Sequence, residues 1–347
     1  MRNEPSPRPA EGHPMQPPRL TFACELDRAR LTELFADGSV LADLRALRAR
    51  VTLMLSDLSA ERAAVVRQLN DAGVPVVAIP LLPFQEGSYF TADNPDRAAA
   101  RYEEWKAWTD QHGLAWDGVG LDIEPDIRLY QQLVDNPWGL VPMVLPRLGD
   151  RGRPRRAAIA YAGLVARIRA EGWPVENYQF PLIADERRTG SELLQRVAGL
   201  VDVQTDREVW MLYSSFMRSL GPGMLCSYGP EAQAIAVGST GGAPDIPGQP
   251  QVPALGWEEL QRDLLLARQW SDDLYIHSLE GCVEQGFLGR LRSLDWGGRQ
   301  GRPASATTAG RLRGLLRATL WVSAHPWRVL AATAASAWVV SRRRPWR

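Results

Sequence analysis

The residues best suited to chemistry are two carboxylates at the end of segment 117–124, which reads DGVGLDIE. Side chains along a β-strand alternate between its two faces, so Gly120, Asp122 and Glu124 share one face. Neighbouring acids raise each other's pKa, and an acid with a raised pKa can donate a proton near neutral pH. This pattern predicts Glu124 as a general acid and Asp122 as the carboxylate that orients it or stabilises positive charge. The alternative is that both acids only pair with buried arginines or backbone donors.

Short apolar runs rich in β-branched residues alternate with amphipathic helical stretches and define the elements that would position these acids. Eight runs are predicted to be strands: 20–26, 51–58, 74–83, 118–124, 178–185, 209–215, 234–239 and 274–279. This alternation indicates parallel pairing, and the chain lacks the glycine-rich loops of nucleotide-binding sheets. We therefore predict an α/β fold, a closed (β/α)8 TIM barrel, although the sixth connection shows no clear helix.

The two ends of the chain differ in composition from the predicted barrel. Residues 1–19 are rich in proline and are predicted to be a disordered leader, and residues 20–296 form the barrel. Residues 297–310, rich in Gly, Arg, Ser and Thr, are predicted to be a linker. Residues 311–347 then form a basic and apolar helical tail.

The tail is predicted to be helical because leucines recur at helical spacing, with arginines off that face, before a nearly all-apolar stretch at 327–340. The leucines are Leu312, Leu315, Leu316 and Leu320. We expect an interfacial anchor on a membrane surface, with docking on the barrel or on a partner as the alternative. A membrane span is disfavoured because it would bury Arg328.

Acidic and aromatic residues are expected at one end of the barrel, because the carboxyl ends of the strands converge there. The predicted substrate-binding residues are Glu25, Asp57, Glu86, Tyr89, Trp138, Asp185, Glu186 and Glu280. Aromatic side chains in such loops can stack on sugar rings. Asp57 has an alternative role as a helix cap, because it lies just before Ser59 and a helical stretch.

The segment 117–124 resembles the DGxDxDxE strand of glycoside hydrolase family 18, the chitinase-like barrels. Asp117, Gly118, Asp122 and Glu124 match this motif. The resemblance implies a TIM barrel that cleaves glycosidic bonds, with Glu124 as the general acid. It also implies that Asp122 orients the 2-acetamido group of the substrate, which acts as the nucleophile in that family.

The sixth predicted strand contains a second partial match, since residues 211–214 are similar to the family's MxYD motif. The resemblance implies that Tyr213 also contacts the acetamido group, which makes it the third predicted catalytic residue. The sequence departs from the family pattern in three places: residues 277–280, at the end of the eighth strand, lack the family's usual tryptophan, and Gly120 and Ser214 stand where the family has aspartates. Without these acids, a retaining mechanism would need a protein carboxylate as nucleophile. Glu280, Asp185 or Glu186 could supply it.

Two other function classes remain open. A sugar isomerase or epimerase could hold a divalent metal ion through Glu124, Asp185, His277 and Glu280, because oxygen and imidazole ligands suit such ions. A non-catalytic glycan-binding barrel would keep the aromatic residues and lose the proton donor.

The overall composition argues against nucleic acid as a partner, because 40 basic and 40 acidic residues give a net charge of zero. Three cysteines lack metal-ligand spacing, and no metal or cofactor is predicted for the leading interpretation.

The predicted partner is a carbohydrate or glycoconjugate. The amino-terminal residues lack a signal-like apolar run, which predicts a cytoplasmic location, with membrane association through 311–347.

Overall fold

A computed structural model describes residues 16–126, 128, 132, 136–242 and 252–328. Eight parallel strands pair in chain order and close into a barrel, with β1 beside β8. The strands are β1 Arg19–Cys24, β2 Arg50–Leu55, β3 Val76–Pro80, β4 Gly118–Asp122, β5 Val175–Gln179, β6 Arg207–Met211, β7 Ala234–Gly238 and β8 Asp273–His277. This architecture confirms the predicted (β/α)8 TIM barrel.

Helices follow the strands and cover the outside of the barrel. They are α1 Arg28–Leu34, α2 Ser39–Leu47, α3 Ala60–Asp71, α4 Pro95–His112, α5 Val141–Gly149, α6 Gly152–Ala170, α7 Leu182–Thr189, α8 Leu193–Ala198, α9 Ser214–Met217, α10 Gly221–Tyr228, α11 Trp257–Ala267, α12 Leu279–Glu284, α13 Phe287–Arg292 and α14 Ala306–Ala324. The sixth connection, for which no helix was predicted, contains α9 and α10.

Apolar side chains fill both the layer between strands and helices and the inside of the barrel. The interior cluster comprises Ile79, Leu81, Tyr178, Val209, Met211, Ala234, Ala236 and Tyr275. These positions alternate along each strand with residues that pack under the helices, as the period of a β-strand requires. The interior is therefore a packed core, and chemistry is restricted to its ends.

A buried ionic cluster lies at the amino-terminal end of the strands. The carboxylate of Glu176 accepts hydrogen bonds from Arg50 at 2.9 Å, Tyr275 at 2.8 Å and Tyr178 at 3.2 Å. Arg207 contacts the same carboxylate at 3.3 Å. Because cations and hydroxyl groups surround this acid, it is held as a satisfied structural group.

The fifth strand differs from the prediction, since it spans Val175–Gln179 and not 178–185. Its outward side chains are polar: Asn177 donates to the carbonyl of Val203 and Gln179 to that of Val201. The apolar run that suggested a strand belongs instead to the turn and first half of α7. Asp185 and Glu186 consequently lie on a helix outside the barrel and not at a strand end, which corrects the prediction.

The tail helix α14 begins at Ala306, inside the predicted linker, and packs on α7 and α10. Arg313 and Leu320 are buried against the barrel, whereas Leu312 and Leu315 are exposed, so the predicted leucine row is divided between the docked and the exposed sides of the helix. Among the described residues, no helix is long and apolar enough to cross a bilayer. Most of the predicted apolar stretch 327–340 lies outside the described residues.

An ion-pair cluster around Asp185 fixes α14 to the barrel. The fully buried Asp185 carboxylate accepts hydrogen bonds from Arg313 at 2.8 Å, Arg317 at 2.7 Å and the Tyr228 hydroxyl at 2.5 Å. The Arg313 guanidinium also lies 3.7 Å from the centre of the Tyr228 ring, and Glu231 contacts both arginines. One buried acid thus organises two arginines of the tail helix.

We predict that Asp185→Asn lowers the free energy of unfolding by about 3–5 kcal/mol, because it leaves two arginines facing a neutral group in a buried site. Denaturant unfolding measures this loss, and limited proteolysis near 299–313 should become faster. Glu61→Gln, which alters an ion pair on the exposed surface of α3, should change stability by less than about 1 kcal/mol. Equal effects of the two substitutions would contradict the structural role of Asp185.

Candidate active site

The acids Asp122 and Glu124 lie at the carboxyl end of β4, where the loop after β3 fixes them. The backbone N–H of Phe90 donates to the carbonyl of Asp122 at 3.2 Å, and the N–H of Glu124 donates to the carbonyl of Phe90 at 3.1 Å. This short parallel bridge extends the strand geometry to the second acid. Asp122 is 4% exposed, whereas Glu124 is half-buried, so Glu124 is the acid that a substrate can reach.

Barrel closure brings further polar groups to the same mouth from β1, β7 and β8. His277 Nε2 lies 3.7 Å from a carboxylate oxygen of Glu25, and His277 Nδ1 lies 3.4 Å from the Ser239 hydroxyl. The backbone N–H of Glu25 donates to the Glu280 carboxylate at 3.2 Å. Three predicted site acids, Glu25, Glu124 and Glu280, therefore lie at the mouth together with Asp122.

The two acids of β4 hold their protons more tightly than ordinary carboxyl groups. Burial, with the nearby charge of Glu25, raises the pKa of Asp122 to about 7, although His277 opposes this effect. Burial also raises the pKa of Glu124 well above its usual value, and the charges of Asp122 and Glu25 act in the same direction. Oδ1 of Asp122 accepts no hydrogen bond from the described part of the chain. The pair is thus suited to acid catalysis near neutral pH.

His277 and Glu280 complete the electrostatics of the mouth. Burial alone would lower the pKa of His277, but the nearby carboxylate of Glu25 raises it above its usual value. Burial raises the pKa of Glu280. His277 was considered only as a metal ligand from the sequence, and its contact with Glu25 depends on the pairing of β1 with β8, whose residues lie about 250 positions apart.

Aromatic and apolar side chains cover the interior core below the acids. Tyr213 and Tyr89, both predicted, pack there with Phe180 and Met54, and the Tyr213 ring centre is 5.4 Å from that of His277. Burial raises the pKa of the Tyr213 phenol well above its usual value, so the phenol stays protonated. Sequence reasoning missed Phe180, although it follows β5 directly, because the strand was placed too late in the chain.

Gly120 cannot be replaced by a larger residue without rearrangement. A Cβ atom on Gly120 would lie 2.8 Å from Cγ1 of Ile79 and 2.9 Å from Cε2 of Tyr178. The space that an inner aspartate would need is therefore filled by the barrel core. Ser214, at the other departure from the family pattern, donates a hydrogen bond to Asp263 on α11 and is buried.

The remaining predicted site residues are engaged elsewhere. The Asp57 carboxylate accepts from the Ser59 N–H and from Arg62, whereas the cap of α3 is Ser59 itself, so Asp57 is not the helix cap. Glu86 pairs with Arg97 at 2.6 Å in an exposed contact.

Two further predicted residues also lie apart from the acid cluster. Trp138 lies in the loop after β4 and is 82% exposed. Glu186 accepts from the N–H groups of Leu194 and Gln195 at the start of α8.

The ligand set considered for a divalent metal ion does not come together. Asp185, one of its four members, is bound to Arg313 and Arg317 on the outer surface of the barrel. Within the described ranges, no group of three or more His, Cys, Asp and Glu side chains is arranged to hold a metal ion.

Comparisons with known proteins give similarity in fold only. No protein-family model matches the chain, and no curated protein matches it. The glycoside hydrolase domain of PgaB (BpsB) from Bordetella bronchiseptica has 11% identity over 80% of this chain and 98% of its own, with a TM-score of 0.47.

Two sugar epimerases are similar solved structures. A D-allulose 3-epimerase from Methylomonas sp. has 10% identity over 87% of this chain and 98% of its own, with a TM-score of 0.38. A D-psicose 3-epimerase has 12% identity over 87% of this chain and 99% of its own, with a TM-score of 0.39. All three TM-scores are below 0.5, so these structures do not indicate the role of the site in this chain.

We predict that Asp122→Asn stabilises the protein more at pH 8 than at pH 5. Asp122 keeps its proton up to about pH 7 in the folded chain but loses it near pH 4 when unfolded, so folded-state stability falls as pH rises between these values. From pH 5 to pH 8 the wild type should lose about 2–3 kcal/mol that the variant retains. Denaturant unfolding at both pH values measures this difference.

Asp71→Asn provides the matched control, because Asp71 is an exposed aspartate at the end of α3. Its substitution should shift stability by a similar small amount at the two pH values. A variant of Asp122 that follows the wild-type pH dependence would show that this carboxyl group is ionised at neutral pH.

Proposed function

We propose that this barrel cleaves a glycosidic bond, with Glu124 as the general acid. The observation that carries the proposal is a half-buried acid, Glu124, at the end of β4, whose pKa is raised by burial and by two neighbouring acids. Such a group remains protonated near neutral pH and can protonate the oxygen of a departing sugar. Asp122, one layer deeper, orients this proton donor.

The proposed substrate is a carbohydrate or glycoconjugate. Tyr213, Tyr89 and Phe180 supply aromatic surface at the mouth, and such rings stack on the apolar faces of sugars. Carboxyl groups beside them accept hydrogen bonds from sugar hydroxyls. The same mouth therefore combines both kinds of contact that a sugar ring requires.

Glu25 is the proposed second carboxylate of the reaction. Cleavage of a glycosidic bond develops positive charge on the sugar, which a carboxylate stabilises or attacks. Asp185 and Glu186 are bound to other residues outside the barrel, which leaves Glu25 and Glu280 at the mouth. The contact of Glu25 with His277, whose pKa is raised, places a basic side chain beside the carboxylate. With Gly120 in place of an inner aspartate, a protein carboxylate is the preferred nucleophile or base.

We expect Glu124→Gln to lower kcat by a factor of about 10² or more, because glutamine keeps the shape of the side chain but cannot donate the proton. Hydrolysis is measured on a panel of aryl glycosides, with and without EDTA. The loss should be larger for aryl groups of high phenol pKa, which need protonation to leave. The activity of the wild type should fall as pH rises through the pKa of Glu124, and the residual activity of the variant should not show this decrease.

Glu61→Gln is the matched control, since it makes the same chemical change on the exposed surface of α3. It should retain full activity. Wild-type turnover that survives EDTA and is unchanged in Glu124→Gln would exclude this acid. Binding of sugars by both proteins without any turnover would replace the proposal with a glycan-binding barrel.

A further inference from the structure

The tail helix α14 leaves an apolar face exposed because its charged face is used for docking. Leu312, Leu315 and Val322 are 46%, 67% and 46% exposed, and they recur along one side of the helix. Arg313 and Leu320, on the opposite side, are buried against the barrel. An exposed apolar row of this kind is unusual on a soluble surface and indicates a contact site.

Two exposed tryptophans lie at the carboxyl end of the helix. Trp321 is 42% exposed and stacks on His325, and Trp327, just beyond α14, is 79% exposed. We refer to the row of Leu312, Leu315 and Val322, together with Trp321 and Trp327 around the helix end, as the tail face. Tryptophan is enriched where proteins meet the boundary between lipid headgroups and acyl chains, because its ring is apolar and its N–H is polar.

The charged residues of the segment that carries the tail face are all basic, because the sequence contains no Asp or Glu after Asp295. The same segment contains ten arginines: Arg299, Arg302, Arg311, Arg313, Arg317, Arg328, Arg342, Arg343, Arg344 and Arg347. Two of them, Arg313 and Arg317, are neutralised by Asp185 and Glu231 on the barrel. Of the others in the described part of the chain, Arg299, Arg302, Arg311 and Arg328 are exposed.

We propose that the tail face binds the surface of an anionic phospholipid membrane. The apolar side chains would enter the headgroup boundary while Arg311 and Arg328 contact lipid phosphates. Self-association through the same face would bring these arginines together without acids to pair with them. The helix lies along the membrane and does not cross it, because its other face is held by the buried Asp185 cluster.

The test is flotation of the full chain with vesicles of phosphatidylcholine alone and of phosphatidylcholine with 30% phosphatidylglycerol. We expect binding to the anionic vesicles, at least tenfold weaker binding to the neutral ones, and release in 0.5 M NaCl, because salt screens the arginine–phosphate contacts. Leu315→Glu should weaken anionic-vesicle binding at least tenfold. Leu315→Ser should weaken it less, because it adds no negative charge.

Ile159→Glu is the matched control, because Ile159 is 75% exposed on α6, outside the tail face. It should bind anionic vesicles like the wild type. Thermal unfolding checks that all variants remain folded. Absence of vesicle binding by the wild type, or equal loss in Leu315→Glu and Ile159→Glu, would overturn the proposal. A dimer in size-exclusion chromatography that Leu315→Glu dissociates would assign the face to a second copy instead.

Discussion

A carboxyl group inside the barrel must be either paired or protonated, because an unpaired buried charge is strongly destabilising. At the amino-terminal end of the strands, Glu176 is satisfied by two guanidinium groups and two phenols. At the other end, Asp122 and Glu124 lie beside another acid, Glu25, and burial raises their pKa values. At the amino-terminal end of the strands, cations thus stabilise the charged Glu176. At the carboxyl end, Asp122 and Glu124 avoid a buried charge by keeping their protons. The protonated end is the one that can donate to a substrate.

Tyr178 connects the two ends and explains the main departure from the family 18 pattern. Its hydroxyl donates to Glu176 below, and its ring occupies the space beside Gly120. A deeper acid on β4 would have to displace this ring, so Asp122 is the deepest acid that β4 brings to the mouth. The consequence is a shallow acid pair on an apolar floor. Such a site favours a second carboxylate from another strand end at the mouth, and Glu25, which follows β1, meets that requirement.

The barrel and the positions of Asp122 and Glu124 could be predicted from local pattern alone. Strands whose outer face packs under helices are apolar and β-branched, and alternation with period two places both acids on the inner face. Strand β5 did not follow this pattern, because Asn177 and Gln179 are satisfied by carbonyl groups of a distant loop. The contact between Glu25 and His277 likewise depends on closure between the first and last strands. No local pattern reports such pairings.

The orientation of α14 shows a similar dependence on distant partners. Helical spacing predicted an apolar row for contact with a membrane surface, with docking on the barrel or on a partner as the alternative. The side on which the helix docks depends on the buried Asp185, with Tyr228 beside it, because this acid pairs with Arg313 and Arg317. A helix that only needed to cover the barrel could have done so with leucine. Because arginines supply the docking contacts, the leucines at 312 and 315 stay exposed. A helix that binds both the barrel and a second surface requires such a division of its side chains.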